Sequence, residues 1–219
     1  MKNAFLALGI NYGGHDTSAA LMLDGELIAA CEQERYTLDK HSRRFPTDAV
    51  EDALSLAGVK LDDVDELAFS FDPIHHIREA YLKTAIEDVS RIEFLINDIG
   101  RIEENFYIEK TIRRNLGFEG LIEFYNHHKC HLASAYYPSG YEESLLVSYD
   151  GIGEFETGMM AVGRSGEIGS FIPGNSYPDS LGLIYSAITH YLGWNHHCDE
   201  GIIMGLATYG DPDHCISGS

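Results

Sequence analysis

Basic residues are scarce in this chain: 15 Lys and Arg stand against 35 Asp and Glu, a formal charge of −20. An acidic surface repels phosphate backbones and anionic headgroups, which argues against nucleic acid or an anionic membrane as a general partner. It suits a cationic ligand, and any anion must be met by local donors or a metal. Cysteine is sparse too. Cys31, Cys130, Cys198 and Cys215 form no CxxC pair and no even framework, which fits reduced thiols in a cytoplasmic protein. No apolar run approaches the roughly 20 residues of a membrane span. The stretch from Met1 to Ile10 is too short for a signal h-region followed by a cleavage site. What is present is a globular composition, 44% hydrophobic and 11% aromatic over 219 residues. That length can bury a core as one large domain or two small ones.

The most informative segment is Asn126-His127-His128-Lys129-Cys130-His131, followed by Leu132-Ala133-Ser134-Ala135. If it opens a helix, His127 and His131 lie one turn apart on one face and can share a divalent metal. His128 points about a quarter-turn away, toward substrate or into an outer, solvated role. Cys130 can be read as a soft ligand or as a small buried thiol. Some twenty residues on, the apolar run ending Ser148-Tyr149-Asp150-Gly151-Ile152-Gly153-Glu154 offers Asp150 as a third ligand beside a glycine turn. Glycines there allow close approach of a phosphate to backbone N–H groups, although an ordinary strand-end turn reads the same way.

Two more clusters carry chemistry. Gly14-His15-Asp16 follows the first strand, where α/β folds display functional groups. His15 suits a general base, with Asp16 orienting it or binding a cationic acceptor; a turn with a satisfied polar pair is the alternative. Lys40, His41, Arg43 and Arg44 make the one compact basic cluster, either a solvated loop or one reaching over the site toward an anion or polar acceptor. Asp199 and Glu200 can bind acceptor hydroxyls or amines. The neighbouring His196-His197-Cys198 is discounted as a metal site, because adjacent residues rarely converge on one ion.

The pattern along the chain is α/β. Phe5 to Asn11 reads as a buried strand, and Thr17–Leu23 and Glu26–Gln33 as a hairpin about Asp24-Gly25, three antiparallel strands in a row. Pro46 to Ala57 has helical spacing and stops at Gly58. Glu66 to Phe71 is a short strand. Ile74 to Asn115 reads as one or two long polar helices, and Leu121 to Tyr125 as a strand leading into the histidines. Leu145 to Tyr149 is predicted to be a central strand. A hairpin about Gly163–Gly166, a helix from Ser180 to Leu192 and a loop from Asp211 onward complete the chain. The strand–glycine turn–hairpin order begins again near Ser144, a weak internal duplication or simply the way sheets recur. A first lobe is therefore placed at about 1–143, with further strand, hairpin and helix material at 144–219.

Seven segments in order resemble the carbamoyltransferase family that includes nodulation and antibiotic O-carbamoyltransferases. They are Gly14 to Ala20, Glu32 to Thr37, Lys40-His41 through Phe45-Pro46, Asn126 to Ala135, Asp150 to Glu154, Ser180 to Tyr185, and Met204 to Gly210. The resemblance implies the N-terminal part of a Kae1-like domain of the actin/Hsp70/sugar-kinase class, a mixed sheet flanked by helices. It further implies transfer of a carbamoyl group, activated from carbamoyl phosphate and ATP as carbamoyl-adenylate, to a hydroxyl of a small, sugar-like acceptor. By position, His127, His131 and Asp150 would hold a divalent metal (iron, zinc or manganese), with Gly151, Gly153 and Glu154 at the nucleotide. His15 and Asp16 would be catalytic, and Lys40, His41, His128, Asp199 and Glu200 would meet substrate. The family's fourth ligand comes from a later part of the domain, so a second polypeptide or a further C-terminal part is an expected partner. Where the family commonly reads Glu-Gly-Lys, this chain has Glu200-Gly201-Ile202. Two alternatives stand beside this one: a non-catalytic nucleotide- or metal-binding remnant, and threonylcarbamoyl transfer to tRNA. The charge of −20 and the lack of a basic groove oppose the last.

Overall fold

The computed structural model describes residues 4–211. Cys215 and the tail beyond Asp211, expected as loop, lie outside the described residues, as do Met1 to Asn3. Two sheets organise the rest. The first has five strands in the order β3-β2-β1-β4-β5: β1 (Leu6–Asn11), β2 (Ser18–Leu23), β3 (Glu26–Glu32), β4 (Glu66–Phe69) and β5 (Leu121–Phe124). β1 pairs antiparallel with β2 and parallel with β4. The β2–β3 connection is the expected Asp24-Gly25 turn, with both residues at positive φ, the backbone that matches strand twist in a two-residue hairpin.

Alternation along β1 buries Leu6, Leu8 and Ile10 on one face. Helix α1 (Thr47–Ala57) packs Ala49, Val50, Ala53 and Leu54 onto β2 and β3. Pro46 precedes its first residue and Gly58 ends it at φ 67°, its N–H returning to the carbonyls of Leu54 and Ser55. Leu67, Phe69 and Ile112 complete this core, each fully buried and worth about 1.5–3 kcal/mol by transfer from water.

The segment between β4 and β5 departs from the expected long helices. It is a chain of short pieces, Pro73–His76, a wide π turn at Ile77–Lys83, Thr84–Glu87, Ile92–Asn97 and Ile99–Phe106, before α2 (Ile108–Leu116). Asp72 and Asp88 explain the starts of Pro73–His76 and of a further single turn at Val89–Arg91: each folds its carboxylate onto the backbone N–H two residues ahead.

The second sheet, β6-β7-β8, is antiparallel: β6 (Glu143–Tyr149), β7 (Gly158–Arg164) and β8 (Glu167–Pro173). Helix α3 (His127–Tyr136) covers one face, placing Leu132 and Tyr136 against Leu146, Met159 and Ala161. The expectation of a central strand at Leu145–Tyr149 is corrected here. Among the described residues β6 has one neighbour, and Leu145, Val147 and Tyr149 stand 68%, 47% and 62% exposed. Helices α4 (Leu181–Tyr191) and α5 (Glu200–Ala207) follow, also with exposed apolar side chains such as Ile184 and Met204. The accessible surface is 14341 Å², against roughly 10,000 Å² for a compact monomer of this mass. No helix among the described residues is long and apolar enough to cross a membrane.

Candidate functional site

The Asn126 side chain caps α3 by accepting from the N–H of Lys129, so the helix begins at His127 and the two histidines do share a face. Their Nε2 atoms are 2.9 Å apart. Asp150, at the end of β6, places Oδ2 2.7 Å from Nε2 of His127 and 3.1 Å from Nε2 of His131. Its other oxygen accepts from the N–H of Gly151 at 2.6 Å, which fixes the carboxylate plane. Burial pushes the Asp150 carboxyl up, but the contacts from His127, His131 and Gly151 outweigh that and hold it well below the usual carboxylate range. Two imidazole nitrogens and an ionised oxygen thus converge on one point. Three lone-pair donors this close repel one another unless a proton or a cation lies between them, and the His₂Asp set fits a borderline divalent metal.

Three expectations around this triad are corrected. His128 does not face a substrate: it is fully buried, its Nδ1 2.8 Å from the Ser148 hydroxyl and its Nε2 2.9 Å from the Glu156 carbonyl. Burial pushes its pKa down, so it is a neutral core histidine in register with Leu132 and Tyr136. Glu154 does not reach a nucleotide. It is 0% exposed, and its oxygens accept from the N–H of Asp72 at 2.7 Å, the N–H of His127 at 2.9 Å and the Asn126 amide at 2.9 Å. It holds the start of α3 and ties the Asp72 loop to it. Gly151 and Gly153 do not offer their N–H groups to phosphate, since these are taken by Asp150 Oδ1 and by the Glu156 carbonyl. Gly153 is glycine for packing: a Cβ there would stand 3.1–3.2 Å from the rings and Cβ of His128 and His127. Cys130 is not among the residues whose ligand atoms gather at this point, and burial and then Glu154 push its thiol up to about 11.

Sequence reasoning missed the clamp behind Asp150. Ser180 caps α4, accepting from the N–H of Leu183, and its hydroxyl lies 2.8 Å from the Asp150 carbonyl and 2.7 Å from that of Gly151. Gly182 then lies so close that a Cβ would fall 2.5–2.7 Å from backbone atoms of Gly151 and Asp150. The Ser-x-Gly spacing at the start of a predicted helix was the available signal.

A second cluster forms at the end of β1. Asp16 Oδ2 is 2.6 Å from Nδ1 of His15, and Oδ1 is 2.9 Å from Nδ1 of His41. The structure thus joins His41, expected at substrate, to the pair expected to be catalytic. Lys40 is exposed beside it. Asp199 and Glu200 are engaged locally: Asp199 accepts from the N–H of Asn195, and Glu200 from the Ser186 hydroxyl and the N–H of His197. A shallow cavity of about 250 Å³, outside both clusters, is lined by Ser186, His190, His196 and His197 and not by these two carboxylates.

Comparison with known proteins gives the family. The family described as carbamoyltransferase N-terminus matches residues 6–219. Uncharacterized protein sll1178 of Synechocystis is 33% identical over 94% of this chain, which covers 35% of that protein. Nodulation protein NolNO of Sinorhizobium fredii is 36% identical over 90% of this chain, which covers 28% of it. The chain therefore spans about a third of the length of these relatives. Among solved structures, ROK hexokinase from Thermus thermophilus aligns with a TM-score of 0.43 at 15% identity, covering 95% of this chain and 71% of that one.

Proposed function

The chain belongs to the carbamoyltransferase family, and from that premise we propose that it supplies the metal-bearing half of an ATP-linked O-carbamoyl transfer site. The observation that carries this reading is the convergence of His127, His131 and Asp150 on one point. A divalent metal held by these three would polarise the carbamoyl carbonyl as a Lewis acid. Asp150 supplies a permanent negative charge there, and Glu154 keeps the helix that presents the histidines in place. The hydroxyl oxygen of a small acceptor attacks the carbonyl carbon of carbamoyl-adenylate. A new C–O ester bond forms, the bond from that carbon to the phosphate oxygen breaks, and AMP leaves. The hydroxyl proton passes to the cluster of His15, Asp16 and His41. The acidic surface favours a small neutral or cationic acceptor over a polyanion, and the proposed setting is cytoplasmic.

A second reading is favoured by the open side of β6 and the large accessible surface. In it the chain binds metal or nucleotide but transfers nothing until further polypeptide covers that face. The experiment that tests both measures metal content, ATP-induced thermal shift and radiolabel transfer from carbamoyl phosphate to a panel of polyols. The proposal expects about one tightly held metal lost in Asp150→Asn, a metal-dependent rise in Tm with ATP, and label on a hydroxyl. No metal and no ATP shift would sink it; binding without transfer supports the second reading.

A further inference from the structure

We propose that His15, Asp16 and His41 form a second divalent-cation site, separate from the one on α3 and β6. One ligand atom from each residue lies within 4.8 Å of the other two, a spread that a single ion can draw together. The donor set is again two imidazoles and one carboxylate, which favours zinc, manganese, iron or cobalt over magnesium or calcium. Each oxygen of Asp16 already faces one ring nitrogen, at 2.6 and 2.9 Å, so the carboxylate is shared evenly between the histidines.

The cluster is built rather than incidental. Its two loops are pinned together by Thr17, whose hydroxyl donates to the Arg44 carbonyl at 2.8 Å and whose N–H reaches the Ser42 carbonyl. Asn11 holds the Asp16 carbonyl, and Glu34 holds the N–H of His41. Asp16 and His41 both sit at φ 57°, the left-handed region, which is strained for a non-glycine residue and recurs where a side chain must be aimed. Lys40, Arg43 and Arg44 are near in sequence, yet each is exposed and none is paired with Asp16. His15 and Asp16 are exposed as well, so a cation here would keep open positions for water or a hydroxyl, as catalytic three-ligand sites do.

A bound hydroxyl loses its proton more readily beside a cation. With the cation bound, the ring nitrogens and the Asp16 oxygens serve as ligands, so the cluster would acidify the acceptor hydroxyl and release its proton to water, in place of taking that proton itself, while the first site polarises the carbonyl. That use rests on the carbamoyl-transfer reading; the binding itself does not.

The test is a titration of untagged, chelator-stripped protein with Co²⁺, read by visible absorption and calorimetry. Wild type is expected to take two equivalents, Asp150→Asn to keep one, and Asp16→Asn to lose that one by about tenfold or more in affinity. His41→Gln, on the second loop, should weaken the same equivalent, and circular dichroism would confirm that each variant is folded. A wild type that takes one equivalent, lost in Asp150→Asn and untouched in Asp16→Asn, would overturn the second site while leaving the first. Retention of two equivalents in Asp16→Asn would overturn it as well.

Discussion

Strands β1 to β3 and strands β6 to β8 are the same three-strand antiparallel unit, each with a His₂Asp cluster at the end of its first strand. They differ in what lies beside that first strand. β1 has β2 on one side and β4 on the other, and its Leu8 is 0% exposed. Among the described residues β6 has β7 alone, and its Leu145, Val147 and Tyr149 are exposed. An alternating strand specifies which residues share a face, but only its neighbours decide whether that face is dry. The clusters differ too. One joins a helix face to a strand end; the other joins two loops locked by Thr17.

The largest expected effect tests the two cores with the same chemical change. Leu67→Ala removes a side chain at 0% exposure from the five-stranded sheet and should cost toward the upper part of the ~2–5 kcal/mol range for such cavities. Leu146→Ala, at 6% under α3 alone, should fall near the bottom of it, because a thinner layer can collapse into the space. Urea unfolding reads both, and equal losses would break the contrast.

A smaller effect separates the two site loops. Gly182→Ala must push the backbone of Asp150 and Gly151 and should weaken metal binding at the α3 site roughly 10–100-fold. Gly14→Ala, beside the other cluster, meets nothing within 4 Å and should change metal affinity at neither site. Calorimetry on both variants would decide; a silent Gly182→Ala would show that the clamp does not set Asp150.

The smallest effect lies where the two units join. Glu156 Oε1 is 2.8 Å from Nε2 of His75. Burial raises the Glu156 carboxyl and the His75 contact outweighs it, leaving a net depression. A depressed carboxyl contributes stability that is fully present above its ordinary value, near 4.5, and is lost as pH falls through the folded one. Glu156→Gln should therefore remove on the order of 1 kcal/mol at neutral pH and flatten the stability profile below about pH 4.5. A variant as acid-sensitive as wild type would place that loss elsewhere.

Much of this was legible along the chain. The Asp24-Gly25 turn, the Pro46 to Gly58 helix and the one-turn pairing of His127 with His131 depend on neighbours a few residues apart, where local geometry dominates. The assignment of His128 was legible too, since His128, Leu132 and Tyr136 recur at four-residue spacing on one face. Reading it as a substrate contact overlooked that period. Glu154 was different: nothing local says that its carboxylate will close on Asp72, 82 residues away.

The sequence alone therefore determined the family and the α/β class, because these follow from short-range period and motif order. Which glycine N–H groups are already spent, that His41 shares Asp16 with His15 across 25 residues, and that β6 stands at an edge among the described residues were decided only by the tertiary structure. Hydrogen-bond partners and strand neighbours are set by long-range packing, and a residue's type does not say which distant group will satisfy it.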